Sequence, residues 1–187
     1  SQATPHSTKL HPLRLKIWLK RLLFPGLDLH TRCRYRFLPR LLKAGPLKTL
    51  DAGCGNGALG YAAYRRGNRV VGITLDEKLI DKNIQFFSFL GLDSKNFSFR
   101  KLDLYDLDSI GESFDQILCS ETLEHVKNDR LVVRHFFRVL NEGGVLHLCA
   151  PYALHPEHAL GRVDGPEDGG HVRDGYTLAS YRQLLEP

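Results

Sequence analysis

The central part of the chain alternates between short apolar runs and longer segments with helical periodicity. Five runs rich in β-branched and aromatic residues lie between residues 47 and 151, and they read LKTLDAG, NRVVGITL, FSFRKLDL, FDQILCS and GGVLHLCAP. Helix-like segments of roughly 10 to 15 residues separate most of these runs. Strands that alternate with helices in this way predict a parallel sheet covered by helices on both faces. We therefore expect one doubly wound, mainly parallel α/β domain over residues 47–187.

The first 46 residues carry a different pattern. Apolar positions between residues 13 and 24 recur at the spacing of one helix face, and they are Leu15, Trp18, Leu19, Leu22 and Leu23. This spacing predicts an amphipathic helix. A second helix is predicted over residues 34–43, although it contains Pro39. Residues 1–46 are thus predicted to form a basic helical segment in front of the domain.

Positive charge is concentrated in this N-terminal segment. The chain has a formal net charge of +5, and the first 50 positions hold 11 of its 26 Lys and Arg residues against a single acid, Asp28. A basic amphipathic helix can contact an anionic membrane surface or a phosphate-rich partner such as nucleic acid. It can equally pack on the domain with its cations in water. The sequence leaves these interpretations open.

Length and cysteine usage restrict the class of protein. A chain of 187 residues that is 42% hydrophobic is long enough for one domain with a sizeable core. Its four cysteines are widely spaced, without a CxxC pair, which indicates neither a disulfide framework nor a zinc site. No apolar stretch reaches the roughly 20 residues of a membrane span, and no secretory signal pattern is present. We expect a cytoplasmic protein.

A glycine-rich turn, LDAGCGNG, follows the first predicted strand. Its spacing matches the dinucleotide pattern GxGxxG/A, so an NAD-binding oxidoreductase is one interpretation. Asp51, two positions before the first glycine, favours another, because a carboxylate repels a pyrophosphate and attracts an ammonium group. S-adenosylmethionine carries an ammonium and a sulfonium and has no phosphate. The alternative for Asp51 is a helix-capping or turn role.

Three motifs together resemble the class I S-adenosylmethionine-dependent methyltransferases. LDAGCGNG, FDQILCSETLEHV and RVLNEGGVLHLCAP occur in the order and at the separations of that family. The resemblance implies a Rossmann-like methyltransferase fold, S-adenosylmethionine as cofactor and S-adenosylhomocysteine as product. The family adds a helix and an antiparallel strand pair after the fifth strand. Here TLASYRQLLEP supplies only the helix, so we expect the C-terminal antiparallel strands to be missing from this chain.

The resemblance also implies which residues contact the cofactor. Eleven positions are predicted to contact it, namely Asp51, Gly53, Cys54, Gly55, Gly57, Thr74, Asp76, Asp103, Leu104, Ser120 and Glu121. The glycine turn with Asp51 corresponds to the part that holds the methionine moiety. Asp103 and Leu104 correspond to the adenine contacts, while Ser120 and Glu121 lie beside the methionine moiety and the acceptor. Thr74 stands where the family has an acid for the ribose hydroxyls.

Methyl transfer to an acceptor that carries a proton needs a base. Glu121, Glu124 and His125 have i, i+3, i+4 spacing, which would place them on one side of a helical turn. A long loop rich in glycine and proline follows the fifth strand and carries further candidates, which are His155, His158, His171, Arg173 and Tyr176. We predict His125 and His171 as catalytic. Solvent-exposed histidines in a surface loop are the alternative.

The predicted function is methyl transfer to a small-molecule acceptor, with oxygen favoured over nitrogen, as in quinone-type methyltransferases that share ExxEH. The main prediction includes no metal. Glu121, Glu124 and His125, with His171 as a distal ligand, also resemble the metal site of small-RNA 3′-terminal 2′-O-methyltransferases, where these side chains would suit Mg²⁺ or Mn²⁺. A further alternative is a non-catalytic module that binds membrane or nucleic acid through the basic N-terminal segment.

Overall fold

A five-stranded parallel sheet forms the centre of the protein, as seen in a computed structural model that describes residues 29–155 and 166–186 together with Leu23. The strands are β1 (Lys48–Ala52), β2 (Arg69–Thr74), β3 (Phe97–Lys101), β4 (Phe114–Ser120) and β5 (Leu140–Cys149). Their order is β3-β2-β1-β4-β5, and every pairing is parallel. The strand order reverses between β1 and β4. The predicted doubly wound α/β architecture is confirmed.

Helices cover both faces of this sheet. They are α1 (Leu29–Leu41), α2 (Ala58–Tyr64), α3 (Glu77–Phe89), α4 (Asp129–Val139) and α5 (Leu178–Leu185), with 3₁₀ segments at Leu104–Ile110 and Leu123–His125. One hydrophobic cluster, around Ile117 and Phe136, lies between the sheet and α4. The other, around Phe87 and Phe97, packs against α2 and α3. The central strand β1 is therefore buried over all but its first residue, whereas the edge strand β5 has no fully buried residue.

Element boundaries depart from the sequence prediction in two places. The helix predicted over residues 34–43 begins at Leu29 and ends at Leu41, and it accommodates Pro39 close to its end. The fifth strand begins at Leu140, three residues before the predicted start, because Leu140 already pairs with Phe114 of β4. The helix predicted over residues 13–24 lies outside the described residues.

A buried polar network fastens the chain that leaves α1 to the sheet. Gln116 of β4 is fully buried; its Oε1 accepts from the backbone N–H of Lys43 at 2.9 Å, and its Nε2 donates to Asn68 Oδ1 at 3.0 Å. Asn68 Nδ2 in turn donates to the carbonyl oxygens of Lys43 at 3.2 Å and Gly45 at 2.9 Å. The segment that follows α1 is therefore held at the end of the sheet opposite to the glycine turn.

All four cysteines are free thiols, with Cys54 and Cys119 buried and Cys33 exposed. This agrees with the expectation that the chain has no disulfide framework. In the described part of the chain, no helix combines the length and the apolar character needed to cross a membrane.

Candidate functional site

A cleft lies at the carboxyl ends of the strands, where the strand order reverses, as expected for an open α/β sheet. It consists of a first cavity of about 370 Å³ and a second cavity of about 300 Å³, and Gly53 lines both. The first cavity is lined by six of the predicted cofactor positions, which are Asp51, Gly53, Cys54, Gly55, Ser120 and Glu121. The second is lined by Gly53 together with Thr74, Asp103 and Leu104.

Two predicted cofactor positions do not line either cavity. Gly57 is the N-cap residue of α2 and has a left-handed backbone with φ 74°. Asp76 is exposed and caps α3, because its carboxylate accepts from the backbone N–H of Leu79 at 3.0 Å. The structure thus gives Asp76 a capping role and leaves Thr74 as the residue at the β2 end of the second cavity.

Asp51 combines a structural contact with a position in the first cavity. Its Oδ2 accepts from the backbone N–H of Gly60 at 2.8 Å, in the first turn of α2. Burial raises the pKa of the Asp51 carboxyl to about 7, although the Gly60 hydrogen bond opposes this shift. A cation placed beside Asp51 would stabilise its ionised form, so the carboxylate is suited to an ammonium group.

The glycine turn needs glycine at two positions for different reasons. Gly53 has φ 72°, and a Cβ atom there would lie 2.3 Å from Thr122 Oγ1. Gly55 has φ 50°, and a Cβ atom there would meet no protein atom within 4 Å. Since Gly55 lines the first cavity, a side chain at this position would occupy space that a ligand can use. The turn therefore fits a ligand that approaches the backbone closely.

Helix α1 supplies one wall of the first cavity. No site residue in this helix was predicted from the sequence. Thr31, Arg34 and Tyr35 line this cavity, and Arg34 Nη1 forms an ion pair with Glu121 Oε2 at 2.6 Å. Glu121 directly follows β4 and has an unusual left-handed backbone at φ 52°. The only sequence signal was the density of arginines in this segment, which does not show which arginine faces the sheet.

The second cavity is closed on one side by the loop that follows β5. Glu167 and Gly169 of this loop line the cavity together with Tyr105. Tyr105 Oη donates to Glu167 Oε1 at 2.6 Å, so the loop is tied to the residues after β3. Asp103 Oδ1 accepts from the backbone N–H of Tyr105 at 2.9 Å and caps the 3₁₀ segment, so this predicted adenine contact also orders its own turn.

The prediction that Glu121, Glu124 and His125 share one side of a helical turn is wrong. The left-handed backbone at Glu121 directs its side chain toward Arg34, and the following turn is a 3₁₀ segment that begins only at Leu123. Glu124 is fully buried, whereas His125 lines the second cavity. Sequence spacing could not reveal this, because it presupposes a continuous helix.

His125 and His171, the two residues predicted as catalytic, lie next to each other. Their ring centroids are 4.7 Å apart at an interplanar angle of 80°. His125 Nδ1 lies 3.0 Å from the carbonyl oxygen of Gly170, and since a carbonyl only accepts, Nδ1 carries the proton in this hydrogen bond. In the neutral ring, Nε2 of His125 is then free to accept a proton or to ligate a cation.

Glu124 is the most unusual buried group at the site. Neither carboxylate oxygen has a hydrogen-bond partner among the described residues, and Oε1 lies 3.9 Å from His125 Nε2. Burial raises the pKa of Glu124 to about 7, and the charge of Glu121 acts in the same direction. Ligand atoms of Glu124, His125 and His171 all lie within 4.8 Å of one another, a set that Glu121 does not join.

A clamp formed by Asp129, Arg173 and Tyr176 holds the loop after β5 against the 3₁₀ turn. The Arg173 guanidinium pairs with Asp129 and donates to the carbonyl oxygens of Val126 and Lys127 at 2.8 and 2.9 Å. Tyr176 Oη donates to Asp129 Oδ2 at 2.8 Å. The predicted loop residues Arg173 and Tyr176 thus position the site, while His155 is exposed at the start of the loop and His158 lies outside the described residues.

Comparisons with known proteins agree with this geometry. A family model described as "Methyltransferase domain" matches residues 44–168. The ubiquinone biosynthesis O-methyltransferase of Rattus norvegicus mitochondria is 32% identical over 69% of this chain, and that of Pseudomonas fluorescens is 28% identical over 73%. This chain spans 38% and 58% of those two proteins. The YcgJ protein of Bacillus subtilis has a similar fold, with a TM-score of 0.68 and 22% identity over 82% of this chain and 66% of its own.

The family match decides between the two cofactor classes left open by the glycine turn. It covers β1 to β5, the strands whose ends form the cleft, and it favours a methyltransferase over an NAD-binding oxidoreductase. The chain therefore belongs to the class I S-adenosylmethionine-dependent methyltransferases.

Proposed function

We propose that the chain transfers a methyl group from S-adenosylmethionine to an oxygen atom of a small-molecule acceptor in the cytoplasm. The charge of the first cavity carries the proposal. Its charged lining residues are Arg34, Asp51 and Glu121, which sum to one negative charge when Asp51 is ionised. S-adenosylmethionine has two positive groups and one carboxylate, so it carries one net positive charge, opposite in sign to that of the cavity. A dinucleotide with its pyrophosphate would instead meet like charge.

Each of these side chains has a role toward the cofactor. Asp51 would accept from the ammonium group, and Arg34 would pair with the carboxylate of the methionine moiety, in place of or together with Glu121. Thr74, Asp103 and Leu104 would hold the adenosine part in the second cavity. S-adenosylmethionine supplies an electrophilic methyl group on a positively charged sulfur.

The acceptor proton would be removed by His125. This side chain lines the second cavity, its Nδ1 proton is held by Gly170, and its Nε2 is the available basic nitrogen. His171 lies beside it and would stabilise or relay the transferred proton. The relatives from Rattus norvegicus and Pseudomonas fluorescens are both named as O-methyltransferases of ubiquinone biosynthesis. These names favour an oxygen acceptor on a small molecule over small RNA.

Two experiments test this proposal: calorimetry of cofactor binding, followed by turnover measurements. We expect heat of binding with S-adenosylhomocysteine and none with NAD. With labelled S-adenosylmethionine and a panel of hydroxylated aromatic compounds and amines, His125→Ala should lower turnover by about 10²-fold or more while cofactor affinity is kept. His155→Ala is the matched control, since His155 is exposed and lines neither cavity. Binding of NAD alone, or transfer only to amines, would contradict the proposal.

A divalent cation at Glu124, His125 and His171 is a second candidate for this site. The observation in its favour is the fully buried Glu124 carboxylate, which lies beside two imidazoles and has no hydrogen-bond partner among the described residues. A cation there would compensate the buried charge and could orient acceptor hydroxyl groups. Turnover should then be lost in chelator and restored by Mg²⁺ or Mn²⁺, and Glu124→Gln should prevent the restoration. Unchanged turnover in chelator would leave His125 as the base.

A further inference from the structure

Two acidic residues that line the second cavity come from different parts of the chain. Asp103 follows β3, whereas Glu167 lies in the loop after β5. No lysine or arginine of the described residues lines this cavity. Carboxylates accept hydrogen bonds and repel phosphate groups, so the lining fits a ligand that offers N–H or O–H groups and carries no phosphate. The adenosine part of S-adenosylmethionine, which is proposed to lie in this cavity, is such a ligand.

The end of β2 provides this cavity with a neutral hydroxyl group, that of Thr74. The acid two positions further on, Asp76, is exposed, caps α3 and lines neither cavity. An ionised acceptor forms stronger hydrogen bonds than a neutral one. The adenosine part of the cofactor offers two ribose hydroxyl groups and one amino group as donors, so a second carboxylate besides Asp103 would increase its affinity.

Hydrogen bonds from the protein fix the Glu167 carboxylate at the wall of the second cavity. Its Oε1 accepts from Tyr105 Oη at 2.6 Å and from the backbone N–H of Lys127. Tyr105 Oη in turn accepts from the backbone N–H of Asn128 at 3.1 Å. Within the described residues both bonds to this carboxylate end on Oε1, which leaves Oε2 for a ligand. Although partial desolvation raises the pKa of Glu167, the bonds from Tyr105 and Lys127 outweigh this effect and lower the pKa, so the group is ionised at neutral pH.

We infer that Glu167 is a cofactor-binding residue whose Oε2 accepts a hydrogen bond from the adenosine moiety, either from a ribose hydroxyl group or from the adenine amino group. The inference rests on the proposed function, because it requires S-adenosylmethionine in the cleft. It gives the loop after β5 a direct contact with the cofactor in addition to the histidine that this loop carries. The carboxylate would also disfavour nucleotides with a phosphate group at this position, since like charges repel.

Titration calorimetry of the full chain with S-adenosylhomocysteine tests this contact. Glu167→Gln keeps an amide oxygen that can accept from Tyr105 and Lys127, but it replaces the other oxygen by an amino group that cannot accept. We expect the affinity to fall by about tenfold, as for the loss of a hydrogen bond to a charged group, while the midpoint of urea unfolding is unchanged. The matched control is Asp168→Asn, which removes the same charge from the same loop. Asp168 lines neither cavity, its Oδ1 accepts from the Gly170 N–H at 3.1 Å, and the variant should bind like the wild type.

Analogues of S-adenosylhomocysteine identify the donor group. S-inosylhomocysteine has a carbonyl oxygen in place of the adenine amino group, and the 2′-deoxy and 3′-deoxy forms each lack one ribose hydroxyl group. Glu167→Gln should not weaken binding of the analogue that lacks the contacted donor, and it should weaken binding of the others as it does for S-adenosylhomocysteine.

The outcomes separate this inference from the proposed function. A wild type that does not bind S-adenosylhomocysteine would contradict the proposed function and, with it, this contact. If the wild type binds, equal affinities of the wild type and Glu167→Gln would overturn the contact alone. Equal losses in Glu167→Gln and Asp168→Asn would also overturn it, as would a loss of the same size with every analogue.

Discussion

The buried carboxylate of Asp51 makes cofactor binding dependent on pH. Its pKa is raised to about 7 by burial, so the free protein holds a proton there at lower pH, whereas a bound ammonium group favours the ionised form. Binding therefore releases this proton below pH 7 and becomes weaker as the pH falls. We expect the affinity for S-adenosylhomocysteine to be constant above pH 8 and to drop toward about tenfold per pH unit below 6.

Titration calorimetry between pH 5.5 and pH 8.5 measures this dependence. Asp51→Asn keeps an acceptor for the Gly60 N–H but has no charge to titrate, so its affinity should be low at all of these pH values. A wild-type affinity that does not change with pH would show that Asp51 is not the partner of the ammonium group.

Gly53 offers a second test at the residue scale, because two constraints coincide there. Gly53→Ala would place a Cβ 2.3 Å from Thr122 Oγ1 at a left-handed φ of 72°. We expect a loss of about 2 to 4 kcal/mol in unfolding free energy and the loss of cofactor binding. Gly91→Ala is the control, since Gly91 has φ 78° with no atom within 4 Å and therefore reports the backbone strain alone. Equal losses for the two variants would mean that contact with Thr122 is unimportant.

At the scale of elements, the clamp around Arg173 joins two segments that are far apart in sequence. The side chains of Arg173 and Asp129 are 17% and 13% exposed, so breaking the pair leaves a buried charge. Arg173→Gln should cost about 2 to 4 kcal/mol, speed hydrogen exchange of residues 166–177 and lower turnover, because His171 lies in this loop. Affinity for the cofactor should change less than turnover.

A surface pair of the same kind provides the comparison for Arg173. Arg138 and Asp108 are 63% and 41% exposed in their ion pair, and Arg138→Gln should cost less than about 1 kcal/mol without an effect on turnover. If hydrogen exchange in residues 166–177 were the same in the two variants, the clamp would not be what holds the loop.

The elements predicted from sequence were those with strong local signals. FDQILCS was predicted as a strand with the observed bounds, and the glycine turn was correctly predicted to follow the first strand. The geometry of ExxEH could not be predicted, because it depends on the left-handed backbone of Glu121 and on its partner Arg34. Likewise, Arg173 was a candidate only by position in a loop, since its partner Asp129 becomes its neighbour through the path of the folded chain.

At the scale of the whole molecule, the network around Gln116 connects α1 to the sheet at the end remote from the cleft. Gln116→Leu would leave the Lys43 N–H and the Asn68 side chain without their buried partner. We expect unfolding free energy to fall by about 2 to 4 kcal/mol in urea titrations. The control is Gln85→Leu, at an exposed position of α3, which should stay within about 0.5 kcal/mol of the wild type. Equal stability of the two variants would contradict a stabilising role for the network.

The inner face of α1 has a consequence for where the functional unit begins. The family match starts at residue 44, after α1 has ended, yet Arg34 and two neighbours form a wall of the first cavity. A fragment cut at the family boundary would keep every strand and lose part of its ligand site. Cofactor affinity can therefore diverge between related proteins through a helix that alignments of the shared domain leave out.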